Sequence, residues 1–195
     1  MAQKNVLTAS DYLPFEEYEK LIAGLRKDKQ YIWELYATLS FSTALRTSDV
    51  RNLHWREVLR NAITVTEKKT KKIRTIKLNA DVQAKIRRLY NLLGQPNANC
   101  LIFANKRTGE PITSQYVNLK LKEFKKKYNL EIGNFSTHTF RKTFGRYVYE
   151  STHQSPESLL LLNKILKHTS TEVTKTYIGI TQDEIDSVFL NLKHP

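Results

Sequence analysis

Apolar residues recur every three or four positions through most of this chain, and alternate with polar ones in one short stretch. The first spacing marks one face of a helix, the second one face of a strand. Ile32, Leu35 and Leu39 predict a helix, as do Val82, Ile86 and Leu89 behind Asn79 as a cap, and Val117, Leu121, Phe124 and Tyr128. Pro14 with the acidic residues after it suits a helix start. "SPESLLLLNKILK", with Ser155 as cap and Pro156 at the first helical position, predicts a buried helix. "TQDEIDSVFLNL" pairs Thr181 with Glu184 in a capping-box pattern. Ile63 and Val65 alternate ahead of a charged turn and a second β-rich arm, which predicts a hairpin. "CLIFANKRTGEPI" predicts a short buried strand with a turn at Thr108–Gly109. The fold class is mainly α with a small antiparallel β-hairpin (α+β). Residues 1–13 read as a polar lead-in, 14–180 as the domain, and 181–195 as a C-terminal helix.

The balance of charge narrows the partners. Lys plus Arg number 32 against 19 Asp plus Glu, a net charge of +13 over 195 residues. That excess predicts a polyanionic partner. The single cysteine, Cys100, excludes an internal disulfide framework, and five scattered histidines make no structural zinc pattern. The longest apolar run, "LLLL", is far below a membrane span, and "MAQKNVLTASDYLPF" has no signal-peptide core. These features predict a soluble protein of a reducing compartment, with no membrane partner.

Taken singly, the polar residues have bland readings. Arg46 in "ALRTSD" could be a surface arginine, and Lys69 in "KKTKK" part of a solvated face. His138 and Arg141 in "HTFR" share a helix face at i, i+3. His168 follows an apolar helix, and Tyr177 stands nine positions further on.

Taken in order, Arg46, Lys69, His138, Arg141, His168 and Tyr177 resemble the catalytic domain of the tyrosine recombinases, the phage-integrase family. "LRTSDVRNLHW", with Arg46 and Asp49, is similar to the first arginine box. Lys69–Thr70 matches the hairpin lysine, and His138 with Arg141 the second box. Leu166, Lys167, His168 and Tyr177 match the third. The likeness covers about residues 15 to 180. Three positions depart from the pattern. Ala44 stands where glycine is usual, Lys142 where histidine is common, and Lys167 where a glycine would supply a left-handed turn.

The resemblance implies the recombinase catalytic-domain fold and a metal-independent, ATP-independent transesterification with no cofactor. Tyr177 would attack a DNA phosphodiester to form a 3′-phosphotyrosine. Arg46 and Arg141 would clamp the phosphate, Lys69 would protonate the leaving oxygen, His138 would take the phenol proton, and His168 would hydrogen-bond the phosphate. Asp49 would support them. Lys68, Thr70, Lys71, Lys72, Arg74 and Lys142 are expected DNA contacts, and Lys120, Lys122, Lys125, Lys126 and Lys127 stripe one helix as further candidates. The implied partner is double-stranded DNA, with a homotetramer on recombining duplexes and a monomer when free. The C-terminal helix would pack on a neighbouring protomer, and the N-terminal core-binding domain of larger members is expected to be missing. The implied location is the bacterial cytoplasm, at the nucleoid. Two rivals are a type IB topoisomerase-like nicking-closing enzyme and a decayed DNA-binding regulator. The complete residue set argues against decay.

Overall fold

The computed structural model describes residues 10–66 and 72–180. Expectations for residues 1–9, the hairpin turn 67–71 and the C-terminal segment 181–195 lie outside the described residues. The chain order is α1 (Phe15–Lys27), α2 (Tyr31–Thr43), α3 (Thr47–Val50), α4 (Trp55–Val58), β1 (Ala62–Thr66), β2 (Ile73–Lys77), α5 (Ala80–Leu92), α6 (Ser114–Lys127), α7 (Thr139–Ser151), α8 (Pro156–Leu166) and α9 (Thr171–Ile178). Among the described residues, the mainly helical plan with one two-stranded antiparallel sheet is the fold class that the spacing predicts.

Helix α2 is the axis of the domain. Leu35, Tyr36 and Leu39 are fully buried, and so is Glu34 on the same helix. Helices α1, α3, α5 and α7 pack around it. A buried carboxylate is costly unless paired. Glu34 has its partners in Arg26, at 3.1 Å, and Arg88, at 2.5 Å, which tie α1, α2 and α5 together. The main core joins these helices through Leu21, Trp55, Ile86 and Phe140. A second, smaller cluster of Ala44, Leu162, Leu166 and Ile178 joins the end of α2 to α8 and α9. Phe144 and Val148 of α7 pack against it.

The hairpin pairs Ile63 with Ile76 and Val65 with Arg74 on its inner face. Thr64 and Thr75 face outward, their hydroxyls 3.0 Å apart. The second arm alternates half-buried and exposed residues: Ile76 packs against the core in part, while Ile63 and Val65 of the first arm are buried in it.

Two local expectations are corrected. Residues 100–112 form no strand. Ile102 and Phe103 are buried as expected, but the neighbouring pairings are single bridges to different partners, His54 with Leu101 and Ala104 with Pro111. Pro111 has no N–H to extend a ladder, and Gly109 turns the chain at a φ of 72°. Helix α8 is not wholly buried either. Its leucine run winds around the axis, so Leu162 and Leu166 face the small cluster while Leu160 and Leu161 are 57% and 50% exposed.

Candidate active site

Helix α2 stops at Ala44, a left-handed residue at φ 48°, ψ 29°. The reversal buries Leu45 and places Arg46 in extended backbone at the N-cap of α3. Asp49, one turn on, is buried and accepts from the Ser48 hydroxyl at 3.3 Å. The Thr47 hydroxyl donates to the Thr137 carbonyl at 3.0 Å, and Thr137 N–H donates to Asn118 Oδ1 at 2.9 Å. These two bonds fix the residue before His138 between α3 and α6. His138 then stands at the N-cap position of α7, and Arg141 points inward one turn later.

Arg141 is 6% exposed. Its guanidinium donates to the carbonyls of Ala44 and Leu166, the residues at which α2 and α8 end. The β2 residue Arg74 donates to the neighbouring Thr43 carbonyl at 3.2 Å. Two cations thus meet the negative end of the α2 dipole. Helix α8 ends at Lys167 in the left-handed conformation, φ 52°, ψ 49°, so lysine adopts the turn that glycine would have supplied.

That turn directs His168 to α9. Its ring meets the Tyr177 ring edge-on, with centroids 4.8 Å apart and planes at 70°. His168 Nδ1 lies 3.2 Å from Thr174 Oγ1, which is also contacted by Asn163 Nδ2 at 3.3 Å. The Tyr177 hydroxyl is buried beside Arg141 without a hydrogen bond of regular geometry. Lys142 Nζ stands 5.3 Å from the centre of the Tyr177 ring. Lys142, His138 and Tyr177 line a cleft of about 840 Å³ with Asn118, Lys122 and Ser136.

The electrostatics are those of a cationic site. Burial, then Arg141 and Arg46, holds the His168 imidazole down to about 4. Burial, Arg141, Lys142 and Arg46 lower His138 in the same way. Burial raises the Tyr177 phenol, while Arg141 and Arg46 pull it down. Burial also lowers Lys142, against the opposing charge of Asp11.

The structure therefore brings Arg46, His138, Arg141, His168 and Tyr177 to one place. Lys69, with Lys68, Thr70 and Lys71, lies outside the described residues. Lys72 is exposed beside the hairpin turn. Of the α6 lysines, Lys122 lines the cleft. Lys120 pairs with Glu123 at 2.6 Å, Lys127 with Asp28 at 2.7 Å, and Lys125 donates to the Gly133 carbonyl at 2.8 Å. Sequence reasoning missed Thr174, Asn163, Thr47 and Asn118. Thr174 stands one helical turn before Tyr177, which is the only signal it carried.

The fold is that of a tyrosine recombinase catalytic domain. It aligns with the crystal structure of XerA recombinase at a TM-score of 0.72 and 16% identity, covering 100% of this chain and 68% of that one. It aligns with XerH site-specific recombinase, solved as a post-cleavage complex with palindromic difH substrate, at a TM-score of 0.71 and 20% identity. That match covers 96% of this chain but only 55% of the XerH chain. Residues 11–184 match the phage integrase family, and the chain belongs to it. One relative, "Probable integrase/recombinase YoeC" of Bacillus subtilis (strain 168), is 34% identical over 143 residues, which is 73% of this chain and 74% of the relative. Among the described residues no helix is long and apolar enough to cross a membrane.

Proposed function

We propose that this protein is a site-specific DNA recombinase that breaks and rejoins strands through Tyr177, serving integration or excision of a mobile element. The Tyr177 oxygen attacks phosphorus and the bond from phosphorus to the 5′-oxygen breaks. The phenol proton passes to His138, and the leaving 5′-oxygen takes a proton from Lys69. The product is a 3′-phosphotyrosine and a free 5′-hydroxyl. A 5′-hydroxyl from a partner strand then attacks the phosphotyrosine, and the same groups run the steps backward.

The observation that carries this reading is the convergence of two guanidiniums on one buried phenol, with an imidazole against its ring. A phosphodiester gains charge on its non-bridging oxygens in the transition state. Arg46 and Arg141 are suited to hold that charge, and losing one such donor costs about 3–4 kcal/mol in the barrier. His138 is lowered and therefore neutral at physiological pH, the form that can accept a proton. With the Thr174 hydroxyl donating to His168 Nδ1, the neutral ring carries its proton on Nε2, which can donate to a phosphate oxygen. A phenol kept protonated by burial is quiescent until a phosphate arrives among these cations. Double-stranded DNA is the partner this chemistry takes, and Lys142 and Lys122 on the cleft wall and the exposed Lys72 are the cations offered for its backbone.

The test is a nicked duplex carrying the element's attachment site, from which a cleaved fragment diffuses away. A covalent protein–DNA adduct is expected with chelator present, and none from Tyr177→Phe. An adduct that persists in Tyr177→Phe removes the nucleophile assignment. Normal cleavage by Arg46→Ala and Arg141→Ala would remove the clamp.

A further inference from the structure

Residues 10–14 pass from the cleft, where Ser10 lines the same wall as Tyr177, to the C-terminal end of the helix that carries Tyr177, pinned at two places. Asp11 N–H donates to the Asn134 carbonyl at 3.1 Å, and Asp11 Oδ2 accepts from Asn134 N–H at 2.7 Å. Leu13 N–H donates to Thr143 Oγ1 of α7 at 2.8 Å, and the Leu13 side chain is buried. Tyr12 is held between these pins. Its ring lies 5.2 Å from the Arg146 guanidinium and covers Gly179, where an added Cβ would stand 3.4 Å from Tyr12 Cδ1.

Gly179 is the left-handed cap of α9, two residues beyond Tyr177. Arg146 is 9% exposed, with Nε 2.5 Å from Glu150 and one terminal nitrogen 3.4 Å from the Gly179 carbonyl. Ile178 between them seats on Gly145, where a Cβ would meet it at 2.6 Å. Helix α9 has eight residues, too few to hold its shape or position alone. Its end is therefore set by what grips it.

We propose that Tyr12 and Arg146 form a clasp on Gly179 and are positioning residues for the strand-cleavage reaction. Arg146 is fixed by Glu150 on one side and stacks on the Tyr12 ring on the other. The clasp thereby sets the depth at which Tyr177 stands against Arg46 and Arg141. A misplacement of 1 Å at a reacting atom costs about a hundredfold in rate, so a loosened clasp is read in chemistry before binding. The inference rests on Tyr177 being the nucleophile.

The test uses the full chain with Tyr12→Leu, which keeps apolar bulk but no π face, and Tyr12→Phe, which keeps the face without the hydroxyl. On the same nicked duplex, Tyr12→Leu is expected to slow single-turnover adduct formation by about tenfold or more, while DNA affinity stays within about twofold. Tyr12→Phe is expected to restore the wild-type rate. In the free protein, amide hydrogen exchange at residues 177–180 should rise in Tyr12→Leu and not in Tyr12→Phe. A wild-type adduct rate in Tyr12→Leu, or a Tyr12→Phe protein as slow as Tyr12→Leu, overturns the clasp. An adduct retained by Tyr177→Phe instead overturns the nucleophile reading, and the exchange measurement then still decides whether the clasp exists.

Discussion

At the scale of single residues, burial and the neighbouring arginines alter the proton affinity of His138, His168 and Tyr177. His168 shows this with a sign that can be measured. In the folded chain burial, then Arg141 and Arg46, brings it from 6.5 to about 4. Between those values the unfolded chain binds a proton that the folded chain does not, so acid favours unfolding. The contribution is complete above 6.5 and is lost as the pH falls toward about 4. The melting temperature should fall across that window, and His168→Gln should flatten the fall. Equal slopes for the two proteins would show that His168 is not the titrating group. Its partner Thr174 was not legible in the sequence. Threonine one turn before a tyrosine is common, and its hydroxyl also reaches back to the Ser170 carbonyl at 3.3 Å, as helical threonines do.

At the scale of elements, two helix ends do the positioning. Helices α2 and α8 both stop at left-handed residues with side chains, Ala44 and Lys167. Both stops leave carbonyls that Arg141 collects. The left-handed conformation strains any residue with a Cβ. Lys167→Gly should therefore stabilise the protein by about 0.5–1 kcal/mol, raising the melting temperature by roughly 1–4 °C. Denaturant titration gives the value directly, and a loss of stability would mean that the contacts of the Lys167 side chain outweigh the strain. The hairpin is the other informative element. Its inner face, Ile63 and Val65, could be read from the alternation because the core holds only one side of it. The residues at 100–112 could not, because burial of Ile102 and Phe103 is achieved by a loop as well as by a strand.

At the scale of the molecule, the net charge of +13 is partly spent on the fold itself. Arg26 and Arg88 neutralise Glu34, while Lys120 and Lys127 have carboxylate partners. The cleft, by contrast, gathers Lys122, His138 and Lys142 beside Tyr177, with Glu172 on its wall, a mostly cationic lining suited to an anion. Affinity for duplex DNA should then depend steeply on salt, falling about a thousandfold between roughly 50 and 200 mM if six phosphates are contacted. Fluorescence anisotropy over a salt series gives the slope. A slope near zero would remove the DNA backbone from the reading.

The sequence alone determined the helical periodicity, the single hairpin, the cationic balance, and the ordered set from Arg46 to Tyr177 that carries the family resemblance. Those are properties of spacing and residue type, and both are written in one dimension. The tertiary structure decided what those residues touch. Nothing in one dimension shows that Arg141 would collect carbonyls from two helix ends separated by more than a hundred positions. Nothing there shows that Lys142 would lie over the Tyr177 ring, or that Tyr12 would reach Gly179. Such contacts depend on how α7, α8 and α9 pack around Ala44, and packing is a property of shapes meeting in space.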